Sequence, residues 1–251
     1  MKQFFLSYIF SCMCFFAGLS QDVNYLIREG EQLEKAMKDE EAVKKYLEAL
    51  KLSPNDITAL VKTSEMNSII GNRQKDKKKK EEYYNAAKTY AASALKVNPA
   101  NPDANYVMAL SMGRMAMISS GKEKVKNVKD IKKYADSALS VNPKHFKALH
   151  ILGKWHLEVT MLNFAEKAAL KVIYGGLPPA SLPMAILNFE KARGIDPWFI
   201  LNYLELARAY KENGQSDKAI DVLNKMLKLP PKTQDDAGYK AEGKKMLESL
   251  Q

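Results

Sequence analysis

The stretch from Phe146 to Pro231 constrains the fold most strongly, because it runs twice through one skeleton of large, small and apolar residues. Leu149, Leu152, Gly153 and His156 open the first pass, Ala185, Phe189 and Ala192 continue it, and Pro197 closes it. Tyr203, Leu206, Ala207 and Tyr210, then Ala219 and Leu223, then Pro231 repeat the series. Large residues one turn apart beside Gly or Ala make a knob and a hollow on a first helix. A second helix fits the hollow closely through its own Ala, and Pro ends the unit. One hairpin cannot bury its apolar face alone, so this repeat predicts stacked neighbours in an all-α solenoid.

The rest of the chain divides on the same pattern, into five repeats at about 23–56, 57–101, 102–145, 146–199 and 200–233, with a cap over 234–251. The first unit runs Leu26, Gly30, Leu33, Ala42, Tyr46, Ala49 and Pro54; Asn55 is the expected N-cap of the next helix, and Leu60 follows Leu26 by one repeat period. In the second unit, Ala87, Ala91, Ala94 and Pro99 come later than that period allows, by about three turns of helix. The excess holds Lys75, Lys77, Lys78, Lys79 and Lys80, then Glu81 and Glu82, and predicts two helices each prolonged by about 8 Å. These lysines read either as a solvated helix extension or as a basic arm for phosphate or lipid headgroups.

The third unit opens with Asn101-Pro102-Asp103, a cap followed by proline at the first helical position, and carries a similar excess between Ser119 and Asn127, Lys122, Lys124 and Lys126 among it. The fourth unit has the largest insertion. That insertion begins at Asn163-Phe164-Ala165-Glu166, a cap with a carboxylate three positions on, and ends at Gly175-Gly176; an extra apolar helix of about ten residues is expected, with Ser181 capping the helix after it. Thr233 to Leu250 reads as the solvating cap helix that a solenoid end requires.

Met1-Lys2-Gln3 precedes an apolar run from Phe4 to Leu19 that ends in Gly18-Leu19-Ser20, the pattern of a signal peptide over residues 1–20, cleaved before Gln21. The run falls short of the ~20 residues that span a bilayer comfortably, so a retained N-terminal anchor is the lesser alternative. Export would place the mature chain in the periplasm or cell envelope, and its mass in the native host checks the cleavage. Cys12 and Cys14 both lie in the run, so the mature chain would have no disulfide, no thiol nucleophile and no Cys-ligated zinc. The formal net charge of +10, or +9 once Lys2 is removed, is carried mostly by lysine. Such a balance can serve nucleic acids or anionic membranes; a nucleic-acid partner is not expected here.

Catalytic patterns are absent. His145, His150 and His156 stand at offsets of 5 and 6, on different faces of one helix, and cannot converge on a metal. Met108, Met112 and Met115 recur at helical spacing without Cys or His, which points to core packing rather than copper(I). No phosphate loop, dinucleotide fingerprint or nucleophile elbow occurs. The expectation is a protein with no catalytic residues, no metal and no cofactor.

The spacing of the fifth unit, Tyr203-x-x-Leu206-Ala207-x-x-Tyr210, then Ala219-x-x-x-Leu223, then Pro231, resembles the tetratricopeptide repeat. A narrower resemblance lies in Leu152-Gly153-Lys154-Trp155-His156-Leu157-Glu158-Val159, the insertion ending Gly175-Gly176-Leu177-Pro178, and Ala185-Ile186-Leu187-Asn188-Phe189-Glu190-Lys191-Ala192 through Tyr203. These segments are similar to the regulator of microtubule dynamics family, sharply over about Lys147 to Gly214. The family implies a tetratricopeptide-type adaptor, in some members with an N-terminal membrane anchor, and in animals a link to microtubules and to contacts between organelles; an exported chain would not meet microtubules. Peptide-binding tetratricopeptide proteins use positions 2, 5, 9, 12 and 13 of each first helix to line a concave groove. Carried over, that rule puts Glu31, Glu34 and Glu65 early in the groove, Tyr106 midway, and Lys147, His150, Lys154, Arg208 and Lys211 late. The two-carboxylate clamp of chaperone adaptors needs Lys and Asn where Ile27 and Glu31 stand, so that ligand is not expected. The expected role is protein or peptide binding, with an acidic or C-terminal carboxylate segment at the late groove. The alternative is association with a membrane surface or cell envelope through the lysine-rich extensions.

Overall fold

In a computed structural model the chain is described over residues 21–251, and every regular element among them is helical; the expected signal peptide lies outside the described residues. The first helix, α1, covers 21–35. It is followed by α2 (Asp39–Leu52), α3 (Ile57–Arg73), α4 (Lys77–Val97), α5 (Pro102–Ile118), α6 (Gly121–Val141) and α7 (Phe146–Met161). Then come α8 (Phe164–Tyr174), α9 (Leu182–Ile195), α10 (Ile200–Glu212), α11 (Ser216–Lys228) and α12 (Asp236–Leu250). Helices pair as α1 with α2, α3 with α4, α5 with α6, α7 with α9 and α10 with α11, and α12 packs on the last pair.

The hollow in each first helix is visible atom by atom. A methyl group added at Gly153 would sit 2.8 Å from the Phe189 ring, and one at Gly30 would sit 2.4 Å from Tyr46. Both aromatic rings are fully buried, so glycine is required here for close approach. Ala42, Ala87, Ala91, Ala135, Ala185 and Ala219 on the second helices are fully buried as well, which lets the helix axes close up. Met108, Met112 and Met115 are buried between helices, as their spacing predicts.

The insertions lengthen helices where the charge runs predict. α3 and α5 have 17 residues and α4 and α6 have 21, against 13 each for α10 and α11. α8 is the extra helix: Asn163 and Glu166 cap its start reciprocally, and Gly175, at φ 71°, ends it in the left-handed conformation that glycine adopts without strain. One cap differs from expectation. Asp56, not Asn55, caps α3, its carboxylate accepting the Ala59 N–H at 2.8 Å, because the helix starts one residue later and Asn55 belongs to the preceding turn.

The cap helix does more than cover α11. Arg73, at the end of α3, donates to Asp235 at 2.8 and 3.0 Å, to Gln234 at 2.9 Å and to Asp39 at 2.6 Å. Gln234 in turn donates to the Met37 carbonyl. The segment before α12 therefore returns to the first hairpin, and the inner side of the curved stack is bounded at its C-terminal end by α12.

Candidate binding face

The inner side is built from the polar faces of the first helices, and its charged residues form a ladder of ion pairs from one repeat to the next. Lys62 on α3 pairs with Glu34 on α1 at 3.1 Å. Glu65 on α3 accepts from Lys147 on α7 at 2.5 Å and from the Tyr106 hydroxyl on α5 at 2.8 Å. Lys154 on α7 pairs with Glu205 on α10 at 2.6 Å and more loosely with Glu158 at 3.6 Å. Arg208 donates to Glu205 at 3.3 Å and to Glu242 on α12.

Glu65 and Glu205 are buried, at 5% and 2% exposure. Burial alone would raise their pKa, but Lys147 and Lys62 around Glu65, and Lys154 and Arg208 around Glu205, outweigh it and hold both carboxyls below the ordinary range. Burial and the Glu65 charge together push the Tyr106 hydroxyl well up. A carboxyl held below its unfolded pKa stabilises the fold above the unfolded value, and that stabilisation is lost as pH falls through the folded one. Glu205→Gln is therefore expected to cost about 2 kcal/mol at pH 7, because charge-assisted bonds to two cations are weakened, with a difference from wild type that shrinks on acidification. Urea titrations at pH 7 and near pH 4 measure both quantities.

Between α3, α5 and α7 the face opens into a cleft of about 350 Å³. Ile57, Val61 and Phe146 supply its apolar walls, and Lys62, Glu65, Asp103, Tyr106, His145 and Lys147 its polar groups. His145 caps α7 by accepting the Ala148 N–H on Nδ1 at 3.2 Å, which leaves the hydrogen on Nε2, 3.1 Å from Asp103. That bond is the main reason the Asp103 carboxyl lies below its usual range. The Lys147 ammonium also lies 5.5 Å from the Tyr106 ring centre, a cation–π distance.

The family model for Regulator of microtubule dynamics protein 1-3 matches residues 26–251, from the first hairpin through α12. The chain belongs to this family. Regulator of microtubule dynamics protein 1 of Caenorhabditis elegans is 24% identical over 159 residues, covering 63% of this chain and 70% of the worm protein. Regulator of microtubule dynamics protein 2 of Mus musculus is 26% identical over 172 residues, 68% of this chain; the match spans only 42% of the mouse protein's length. Among solved structures, a thermophilic TPR protein of Thermus thermophilus superposes with a TM-score of 0.64 over 88% of this chain and 98% of its own at 17% identity. The fold of this family member is thus the tetratricopeptide-like helical solenoid.

The residues that the groove rule selects fall into three environments. Tyr106 and Lys147 meet at the cleft, together with Glu65. Lys154 and Arg208 lie on the inner side but are engaged by Glu205 and Glu242, and Lys211 is exposed at the end of α10 with no ion pair among the described residues. His150 is withdrawn from the groove: it is buried between the rings of Phe189 and Phe199, and its Nδ1 lies 3.0 Å from the Asn202 side chain. The late groove is therefore neutralised from within, and the open part of the face lies earlier. Sequence reasoning missed Lys62, Asp103, Glu205 and Glu242. Lys62 stands one repeat period after Arg28, so the repeat offered a signal for it; nothing local marks Glu205 or Glu242 as partners of distant cations.

On the outer edge, Lys75 and Lys77 to Lys79 are exposed and Lys80 is partly so. None of the five makes an ion pair among the described residues. The histidines and carboxylates likewise form no metal-binding cluster among the described residues, and no helix there is long and apolar enough to cross a membrane.

Proposed function

We propose that this member of the regulator of microtubule dynamics family is a non-catalytic adaptor that holds an extended segment of another protein in the cleft between α3, α5 and α7. The observation that carries the reading is the cleft itself: α3 and α7 present apolar walls, and α3, α5 and α7 set beside them donors and acceptors already fixed in place by their own bonds. Groups held in advance lose little freedom when a ligand arrives. A purely acidic segment would compete with Glu65 for Lys147 and with Glu34 for Lys62. A segment that pairs its backbone and mixed side chains with Asp103, Lys144 and Asn142, and buries an apolar residue against Val61 and Phe146, fits the lining better. In this reading the leader-like run at 4–19 exports the chain, so the partner belongs to the periplasm or envelope rather than to microtubules.

Thr58 is exposed at the cleft wall and belongs to none of the ion pairs, so it is the position to test. A photo-reactive residue at Thr58 is expected to give discrete adducts in cells, while the same residue at Asn85, exposed on the outer helix α4, gives none. Thr58→Trp, which fills the cleft, should remove the cross-linked partner from affinity capture without changing the circular dichroism spectrum. Equal labelling from Thr58 and Asn85 would sink the proposal.

A further inference from the structure

The helix α8 is built with complete end caps, yet no residue of it is buried. Phe164 is 87% exposed, Val172 86% and Ile173 64%. At 100° per residue, Phe164, Ala165, Ala168, Ala169 and Val172 share an arc of about 140°. Leu170 and Tyr174 lie on the other side, partly buried, and Tyr174 ties the helix to α6: Lys129 donates to its carbonyl at 3.0 Å, and its hydroxyl lies beside Gly121. The helix thus leaves most of its apolar arc in solvent, with Glu166, Lys167 and Lys171 also exposed, whereas an ordinary surface helix turns such an arc to the core.

Its surroundings supply the second observation. In a stack of hairpins the ends of the first helices and the starts of the second helices share one edge, so α8 lies on the edge that carries the prolonged ends of α3 to α6. Exposed Met117 and Met161 end α5 and α7 there. Exposed Lys77, Lys78, Lys122, Lys124, Lys167 and Lys171 occupy the same edge and make no ion pair among the described residues, whereas Lys62, Lys147, Lys154 and Arg208 on the inner side are all paired.

We propose that this edge docks on an anionic lipid bilayer, with the apolar arc of α8 inserted at the level of the headgroups and the lysines of α4, α6 and α8 against the lipid phosphates. An apolar helical ridge flanked by lysines matches such an interface in both chemistry and shape. A second copy would bring two like-charged edges together, and a folded partner would have to offer a groove shaped to a protruding ridge, whereas a bilayer conforms to it. This surface is separate from the cleft, so a membrane-bound chain keeps its inner face free for a partner.

The full chain is tested with phosphatidylcholine vesicles with and without phosphatidylglycerol. Trp155 is buried and Trp198 lies on the opposite edge, so the added emission of a Phe164→Trp variant reports on α8. That emission is expected to shift to the blue, and to be quenched by lipids brominated on their acyl chains, only on vesicles containing phosphatidylglycerol. Replacing Phe164, Val172 and Ile173 together by Ser should lower co-sedimentation at least about tenfold, with circular dichroism unchanged, and Lys77→Glu with Lys79→Glu should weaken it and its salt dependence. An unshifted Phe164→Trp emission on anionic vesicles overturns the proposal. So does a blue shift that appears without lipid and grows with protein concentration, which would identify a second copy, or one that appears only with a captured protein.

Discussion

Phe189→Ala is expected to lower the stability of the chain by about 3–5 kcal/mol, the cost of deleting a fully buried aromatic ring from a site that cannot collapse. The ring rests on the bare backbone of Gly153, so truncation leaves a hollow with no side chain on either helix to fill it. The Phe189 carbonyl also accepts the Asn202 amide at 2.9 Å, which fixes α9 against α10 and limits relaxation. The opposite change in the same hollow, Gly153→Ala, overfills it and is expected to cost about 1–3 kcal/mol. Combining Gly153→Ala with Phe189→Leu should cost less than the sum of the two, since one adds the volume that the other removes. Urea unfolding followed by circular dichroism measures all three, and strict additivity would show that the two positions do not share the hollow.

Acidification should expose the neighbouring His150. Burial pushes its pKa down to about 4, partly offset by the Glu205 charge and the Asn202 bond. The unfolded chain takes up a proton near pH 6.5 while the folded chain leaves the ring neutral, so stability falls as pH drops from about 6.5 to about 4. The loss from this one residue between pH 7 and pH 4.5 comes to about 2.5 kcal/mol. A His150→Leu variant removes it: whatever its stability at pH 7, its decline towards pH 4.5 should be smaller than that of the wild type by that amount. A parallel decline in both proteins would show that His150 already titrates normally in the folded state.

The hairpins were legible because everything that defines them is local. Gly153 with Phe189 and Ala207 with Leu223 recur at spacings fixed by the turn of a helix and the length of a unit, so the chain announces them without reference to distant residues. The same holds for the caps Asn101 and Asn163, the prolongation of α3 to α6, and the existence of α8. Family membership, too, rests on these local patterns, and the match over residues 26–251 extends it to the diffuse early repeats.

The state of each charged residue was decided elsewhere. Lys147 and Lys154 satisfy the groove rule as written, but whether an ammonium is free to bind a ligand depends on what stands opposite it, and their partners Glu65 and Glu205 are 82 and 51 residues away in the chain. Arg73 and Asp235, 162 residues apart, meet because the stack curves until the segment before its last helix reaches the first two hairpins, a property of accumulated packing angles that no window of sequence contains. α8 shows the same division in reverse. Its apolar arc is plain in the sequence and by periodicity should face a core; only the stacking of α7 directly on α9 leaves it outside, with nothing among the described residues to cover it. Local periodicity determined which helices form and which faces are apolar, and the long-range stacking determined which of those faces, and which lysines, were left for something other than the chain itself.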